Sequence, residues 1–328
     1  MYFTRGSKIN SRHQLGTRKH IELFVKQKKL MNENVSNLNE NWPDIFSLAL
    51  QEKFRPNVLA IILYGSWLRG KRDTLPDFYV ILDTYSCLPS RWERLGNRVL
   101  KPNVYNLLLH QEEKSCVAKY ATITLKQFIS GITNDFHPYL WARFSQPTKV
   151  IFSKSSAISS SISDAFTKAS ERMLSETIPM VASESSLNTL WETSLALTYK
   201  TELRSENSQK SRELVGYYAK HLEKKTDLIG PRYGLSKTER GTWVCHSSWP
   251  KRFTAVVKWK LRNYVGTLLS VMRLAKAAFT FNEPLEYILW KVERHTGIKK
   301  EASLLQKRHP LIFAWGLLWE VYREGGFK

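Results

Sequence analysis

The residues best suited to chemistry lie between Leu63 and Asp83. An apolar run from Val58 to Leu63 ends at Gly65-Ser66. Arg69, Lys71 and Arg72 follow, and Asp77 opens a second apolar run. Glycine has no Cβ, so backbone at Gly65 can come close to a phosphate. The Ser66 hydroxyl and nearby amides can donate to phosphate oxygens. Asp77 can hold a divalent cation that bridges those oxygens and offsets the charge that develops in phosphoryl transfer. The three basic side chains sit where a polyanion needs them. The pattern predicts a triphosphate site, against the plainer reading of a hairpin with a glycine turn and a strand-opening aspartate.

Nucleotidyltransferases of the polymerase-β type hold a nucleoside triphosphate on such a strand, Gly-Ser turn and acidic second strand. Their usual pattern places two acids one residue apart. Here the residue two after Asp77 is Tyr79. Asp83 shares the Asp77 face by the period of two, but six residues of strand span about 20 Å, too far to share a metal. A further carboxylate comes from elsewhere in the chain, or the site works with one fewer.

From these residues onward the chain resembles the mitochondrial-type phosphatidate cytidylyltransferases (the translocator assembly and maintenance family) and their bacterial relatives. Tyr64-Gly65-Ser66 and Asp77-Phe78 match its Tyr-Gly-Ser-Gly turn and Asp-Phe strand, with Trp67 in place of the second glycine. Val104-Tyr105-Asn106, Lys119-Tyr120-Ala121-Thr122-Ile123, Leu140-Trp141-Ala142-Arg143-Phe144 and Gln146-Pro147-Thr148-Lys149-Val150-Ile151 are similar to later segments of the family, in the same order. So is Leu197 to Arg204, with Lys210 beyond it; Glu202 stands where the family has Asp. The resemblance runs from Tyr64 to about Leu222. It implies Mg²⁺-dependent transfer of CMP from CTP to phosphatidic acid, giving CDP-diacylglycerol and pyrophosphate. It implies Asp77 and Glu202 as catalytic and metal-binding acids. Gly65, Ser66, Arg69 and Lys119 would bind nucleotide, and Arg143, Arg204 and Lys210 would bind substrate phosphate. Without it, Lys119 and Arg143 read as lone surface charges near strand ends. The Lys200–Lys210 region likewise reads as a solvated helix face laced with ion pairs.

Composition bounds the class. A 42% hydrophobic fraction with 12% aromatics supports packed cores and excludes a disordered chain. The formal net charge of +21, from 50 basic and 29 acidic residues, predicts attraction to a polyanion, either nucleic acid or an anionic membrane. Cys87, Cys116 and Cys245 are scattered and form no ligand pattern, which suits a reducing compartment rather than a disulfide framework. No apolar run approaches the roughly 20 residues that span a bilayer.

The elements that must position the site follow from periodicity. Strands are predicted at Val58–Tyr64, Phe78–Asp83, Val104–Leu109, Ala121–Thr124 and Lys149–Ile151. The expected fold is an α/β nucleotidyltransferase core, polymerase-β-like, followed by a helical domain and a basic C-terminal helical region. The expected divisions are a basic N-terminal arm at 1–40 with a helix over Leu15–Leu30, a nucleotidyltransferase domain at 41–155, a helical domain at 156–240 and an amphipathic region at 241–328. Ser153 to Ser163 reads as a serine-rich connector, and 228–250 as a loop. Arg252 to Phe281 reads as a helix with Val257, Leu261, Val265 and Leu268 on one face and Lys258, Arg262, Arg273 and Lys276 supplying charge. That pattern fits either a helix lying on anionic lipid or a core helix with a solvated basic face. A last helix pair is predicted at Leu285–Arg294 and Pro310–Arg323. Trp290, Trp315 and Trp319 add an aromatic and basic theme, and His295 and His309 read as helix-end or loop histidines.

The leading expectation is a membrane-peripheral CTP:phosphatidate cytidylyltransferase with CTP, phosphatidic acid and an anionic membrane surface as partners, and no obligate protein partner. Its expected place is the cytoplasmic face of the cell membrane, or the matrix side of the mitochondrial inner membrane. The alternatives are a nucleotidyltransferase acting on RNA or protein, and a non-catalytic binding protein that keeps the fold.

Overall fold

The computed structural model describes residues 41–72, 74–111, 114–202, 208–280, 289, 293, 298–308 and 315–324. Helix α1 (Trp42–Phe54) carries Pro43 in its first turn, where a missing N–H costs nothing. Trp42, Phe46, Leu50 and Phe54, spaced by four, bury one stripe of it.

Strands β1 (Val58–Tyr64), β2 (Asp77–Leu82), β3 (Asn103–Gln111), β4 (Lys114–Thr124) and β5 (Lys149–Ser153) form one sheet in the order β3-β4-β2-β1-β5. β2 and β4 run parallel, and the other neighbours run antiparallel. The central strands are almost wholly apolar because both faces are covered. Ile61, Leu63, Phe78, Val80 and Leu82 pack with α1. Ala60, Ile62, Tyr79, Ile81, Ala121 and Ile123 face the helical layer. The protein is thus mixed α/β, with a five-stranded mixed sheet. All five expected strands are present. β3 and β4 are longer than their apolar segments because they pair as a hairpin well past them.

Helix α2 (Arg91–Val99) lies on the α1 face of the sheet, where Asn97 Nδ2 donates to Thr122 Oγ1 and Tyr105, packed with the α1 cluster, donates to Glu93. The helical layer on the other face comprises α3 (Leu125–Thr133), α4 (Trp141–Phe144), α5 (Ser156–Thr177), α6 (Leu187–Lys200), α7 (Ser208–Ile229) and α8 (Trp249–Thr280). Two expectations are corrected. The serine-rich stretch is no connector: Ser155 accepts a hydrogen bond from the Ile158 N–H and caps α5. Ile162, Ala165, Ala169 and Met173 then bury its inner face, while Ser159, Ser160 and Ser163 stay exposed. The supposed loop at 228–250 contains β7 (Leu235–Lys237) and β8 (Trp243–Cys245), which join β6 (Glu184–Ser185) in a second sheet. Such short strands carry too few residues to show alternation.

Helix α8 departs from the second alternative, a core helix with a solvated basic face: its apolar stripe faces out and several of its basic side chains face in. Arg262 is fully buried, its guanidinium 4.7 Å from the Trp259 ring centre. Its Nε donates to Phe136 O, and its Nη1 lies 2.9 Å from Glu176 Oε2. Lys258 joins the same carboxylate at 3.1 Å. Lys276 donates to the carbonyls of Leu100 and Pro102 at the end of α2. Arg262 and Lys276 therefore point into the protein, while Phe253, Val257, Leu261, Tyr264 and Leu268 point outward. The rule that buried cations need partners explains the inward side.

Trp315–Arg323 is helical, within the predicted second member of the last pair. The helix expected over Leu15–Leu30, most of Leu285–Arg294, Trp290, His295 and His309 lie outside the described residues. Among the described residues no helix is long and apolar enough to cross a membrane.

Candidate functional site

The register of the sheet assembles the site. Tyr64 on β1 lies opposite Asp77 on β2, and Asp77 lies beside Lys119 on β4. Asp77 shares its face with Tyr79, two residues on, and Lys119 with Ala121, so both side chains rise toward the helical layer. Cβ atoms so paired lie about 5 Å apart. One acid and one base thus sit side by side at the end of the sheet where β1 runs out.

There the chain turns at Gly65, with φ +88 and ψ −155, a conformation essentially reserved for glycine. A Cβ at Gly65 would meet Asp77 Oδ2 at 3.3 Å. Backbone and carboxylate are therefore in close approach, as the motif reading requires. A short 3₁₀ turn, Ser66–Arg69, follows and closes at Gly70 with φ +75.

Trp67 anchors this loop. Its ring is buried on the α1 side of the sheet, and its Nε1–H donates to Thr74 O at 2.9 Å. Arg72 stacks on it at 3.9 Å and donates to its carbonyl. Ser66 Oγ lies 2.7 Å from Thr74 Oγ1, so its hydroxyl is held within the loop. Two bases tie the loop to α7: Lys71 pairs with Glu213 at 3.0 Å, and the Arg69 guanidinium lies 6.0 Å from the Tyr218 ring centre. Arg69 Nη1 also donates to Gly65 O at 3.4 Å.

Beside this row stands Arg143, on the four-residue helix α4. It is no surface charge: its side chain is 12% exposed. Its Nη1 donates to Tyr139 O at 2.9 Å and to the Tyr79 hydroxyl at 3.3 Å. Its guanidinium lies 4.2 Å from the Tyr139 ring centre and 5.6 Å from that of Tyr64. Glu202 Oε2 lies 3.9 Å from its Nη2. Tyr79 is fully buried, its ring 5.1 Å from Tyr64 and 4.9 Å from Phe144. Burial pushes the Tyr79 phenol well above its ordinary range, so the group opposite Arg143 is neutral.

Glu202 is delivered by the end of α6. His137 Nε2 lies 3.1 Å from the Thr201 carbonyl, and burial lowers the imidazole's affinity for a second proton. The neutral ring then donates to that carbonyl. Helix α8 closes over the same point: a Cβ at Gly266 would lie 2.0 Å from Thr201 O. Further along α8, the Arg273 guanidinium lies 4.0 Å from the Tyr139 ring centre.

Of the expected site residues, Gly65, Ser66, Asp77 and Lys119 converge at the end of the sheet, with Arg143 and Glu202 on the same face beside them. Arg69 reaches the turn. Lys210 lies in the first turn of α7, three residues before Glu213 and so on the helix side that meets the loop. Arg204 lies outside the described residues. Sequence reasoning missed Tyr139, His137 and Arg273. Only Tyr139 carried a signal, four residues before Arg143 and thus one helical turn away.

Asp77 could supply one carboxylate to a divalent cation, since Mg²⁺ commonly takes one or two carboxylates and keeps other oxygens. Among the described residues no group of three or more His, Cys, Asp or Glu side chains gathers to hold an ion by itself. Lys119 stands beside Asp77 in the sheet register and Arg69 reaches the Gly65 carbonyl, a positive field that favours a polyanion. No family model matches the chain, and no curated protein matches it.

Proposed function

We propose that the protein is a polymerase-β-like nucleotidyltransferase that moves CMP from CTP to phosphatidic acid, forming CDP-diacylglycerol and pyrophosphate at an anionic membrane surface. The observation that carries this reading is the close approach of Gly65 to Asp77 at the end of the sheet, with Lys119 beside Asp77 in register and Arg69 at the Gly65 carbonyl. The resemblance to the phosphatidate cytidylyltransferases supports the choice of nucleotide and acceptor.

In this reading Gly65 and Ser66 cradle the outer phosphates, with Arg69 and Lys119 on their charge. Asp77 would hold Mg²⁺, which when bound neutralises phosphate charge. Arg143, Lys210 and Arg204 are the bases for the acceptor and the α-phosphate. The phosphatidate oxygen attacks the α-phosphorus in line and pyrophosphate leaves. A phosphate monoester is already anionic at neutral pH, so no general base is required, and catalysis is positioning and charge neutralisation. Glu202, expected as a second metal ligand, instead serves as counter-ion to Arg143 in this reading, because the 3.9 Å contact already engages it with that cation.

The outward stripe of α8 supports the membrane as the place of action. Tyr264 is 79% exposed and Leu268 61%, with Lys251 and Lys260 exposed beside the stripe. Apolar side chains facing out between lysines suit an anionic interface.

One observation favours a second reading, a triphosphate-binding protein without transferase activity: the neutral Tyr79 stands where a second acid is usual. Purified protein incubated with each α-labelled triphosphate, Mg²⁺ and either phosphatidate vesicles or RNA separates the readings. Label in lipid, from CTP alone, supports the proposal. Label in RNA selects the rival enzyme. Triphosphate binding with no transferred label selects the binding protein.

A further inference from the structure

The usual second acid of such a site binds a cation, and this chain has a cation of its own at that place. Tyr79 occupies the position two residues after Asp77 on the same face of β2, and its hydroxyl receives a hydrogen bond from Arg143 at 3.3 Å. The guanidinium is fixed on every side that the contacts define: Tyr139 O and the Tyr79 hydroxyl on Nη1, Glu202 near Nη2, and the rings of Tyr139 and Tyr64 beside it. Across the Tyr139 ring stands Arg273. Two planar cations cannot share one face of a ring at 4.2 and 4.0 Å, so the ring lies between them. A guanidinium so held needs little reorganisation to meet charge developing on a phosphate. Its charge is permanent, so the group stays cationic beside a phosphate.

We propose that Arg143, oriented by the Tyr79 hydroxyl, is a fixed cation that takes the place of a second divalent metal, so that the site works with one ion at Asp77. Tyr79 is then a positioning residue, and Arg143 is the group that touches the reacting phosphate. This inference rests on the transferase reading for its kinetics but not for its metal count.

The test counts ions directly. Protein saturated with an α,β-methylene analogue of CTP is titrated with Mn²⁺, and bound ions are counted by electron paramagnetic resonance. One Mn²⁺ per bound nucleotide is expected, and two would overturn the proposal whether or not the protein transfers CMP. Kinetics add a second reading. Tyr79→Phe keeps the ring packing and removes only the hydroxyl. It should lower kcat about tenfold with KM for CTP changed less than threefold. Arg143→Ala should lower kcat by about a hundredfold, the scale of one lost charge-stabilising group. Added guanidinium ion should restore part of it. A Tyr79→Phe protein with wild-type kcat, or an Arg143→Ala protein with wild-type kcat, would overturn the role assigned to the pair. If the wild type transfers nothing but binds one Mn²⁺ with the analogue, the transferase reading fails and the one-ion site stands.

Discussion

Replacing Gly65 by alanine tests the geometry on which the site depends. At φ +88 and ψ −155 a side chain is strained whatever the surrounding space, at a cost of order 1–3 kcal/mol. The added Cβ would also stand 3.3 Å from Asp77 Oδ2, tighter than a comfortable contact, so the carboxylate must shift. Gly70 is the internal control. It too has positive φ, at +75, but a Cβ there meets nothing within 4 Å. Both variants should therefore melt a few degrees below wild type, since about 1 kcal/mol moves the midpoint of a large domain by roughly 2–4 °C. Only Gly65→Ala should lose transfer by about a hundredfold, the scale on which a misplacement of about 1 Å is felt. The assay is thermal denaturation beside transfer of labelled nucleotide for both variants. Equal activity in Gly65→Ala and Gly70→Ala would refute the claim that close approach of this turn to Asp77 matters.

Other consequences follow from the same contacts. Glu176→Gln leaves the buried Arg262 without its counter-charge and should destabilise the fold by about 3 kcal/mol, read by chemical denaturation. Burial pushes Lys225 down to about 8, where its ammonium donates to Ser145 O and Ser170 Oγ. The unfolded chain then binds more protons between pH 8 and the ordinary lysine range, so stability should rise with pH across that window. Lys225→Met should flatten the rise, and an unchanged slope would show another group is responsible. Leu261→Glu with Leu268→Glu changes only exposed side chains, so the fold should survive while sedimentation with anionic vesicles is lost. Unchanged vesicle binding would remove this face from the membrane account.

The parts of the fold that declared themselves in the sequence were those governed by local pattern. Val58–Tyr64 reads as a buried strand because both its faces are covered, and the Gly65-Ser66 turn is marked by the one residue that its backbone allows. Period two placed Tyr79 on the face of Asp77 without a structure. What local pattern could not carry was partnership over distance. Arg143 reads as a lone charge until Glu202, 59 residues away, and Tyr79, 64 residues away, close around it. Helix α8 stayed open between two readings for the same reason. Its period showed an apolar and a basic face, but which face turns inward depends on Glu176 and Phe136, far away in the chain. The serines after Ser153 looked like a linker because composition outweighed the Ile162, Ala165, Ala169 spacing that makes them the outer face of a helix.

The central claim is that Asp77, beside Gly65 and Ser66, organises nucleotidyl transfer to a lipid phosphate. Wild-type and Asp77→Asn proteins, matched in melting temperature, are incubated with α-labelled CTP, Mg²⁺ and phosphatidate vesicles, and label in the lipid fraction is measured. The account predicts labelled CDP-diacylglycerol from the wild type and a loss of at least about a hundredfold in the variant, roughly 2.7 kcal/mol of transition-state stabilisation. No lipid label from the wild type, or an Asp77→Asn rate within about tenfold of it, would contradict the account.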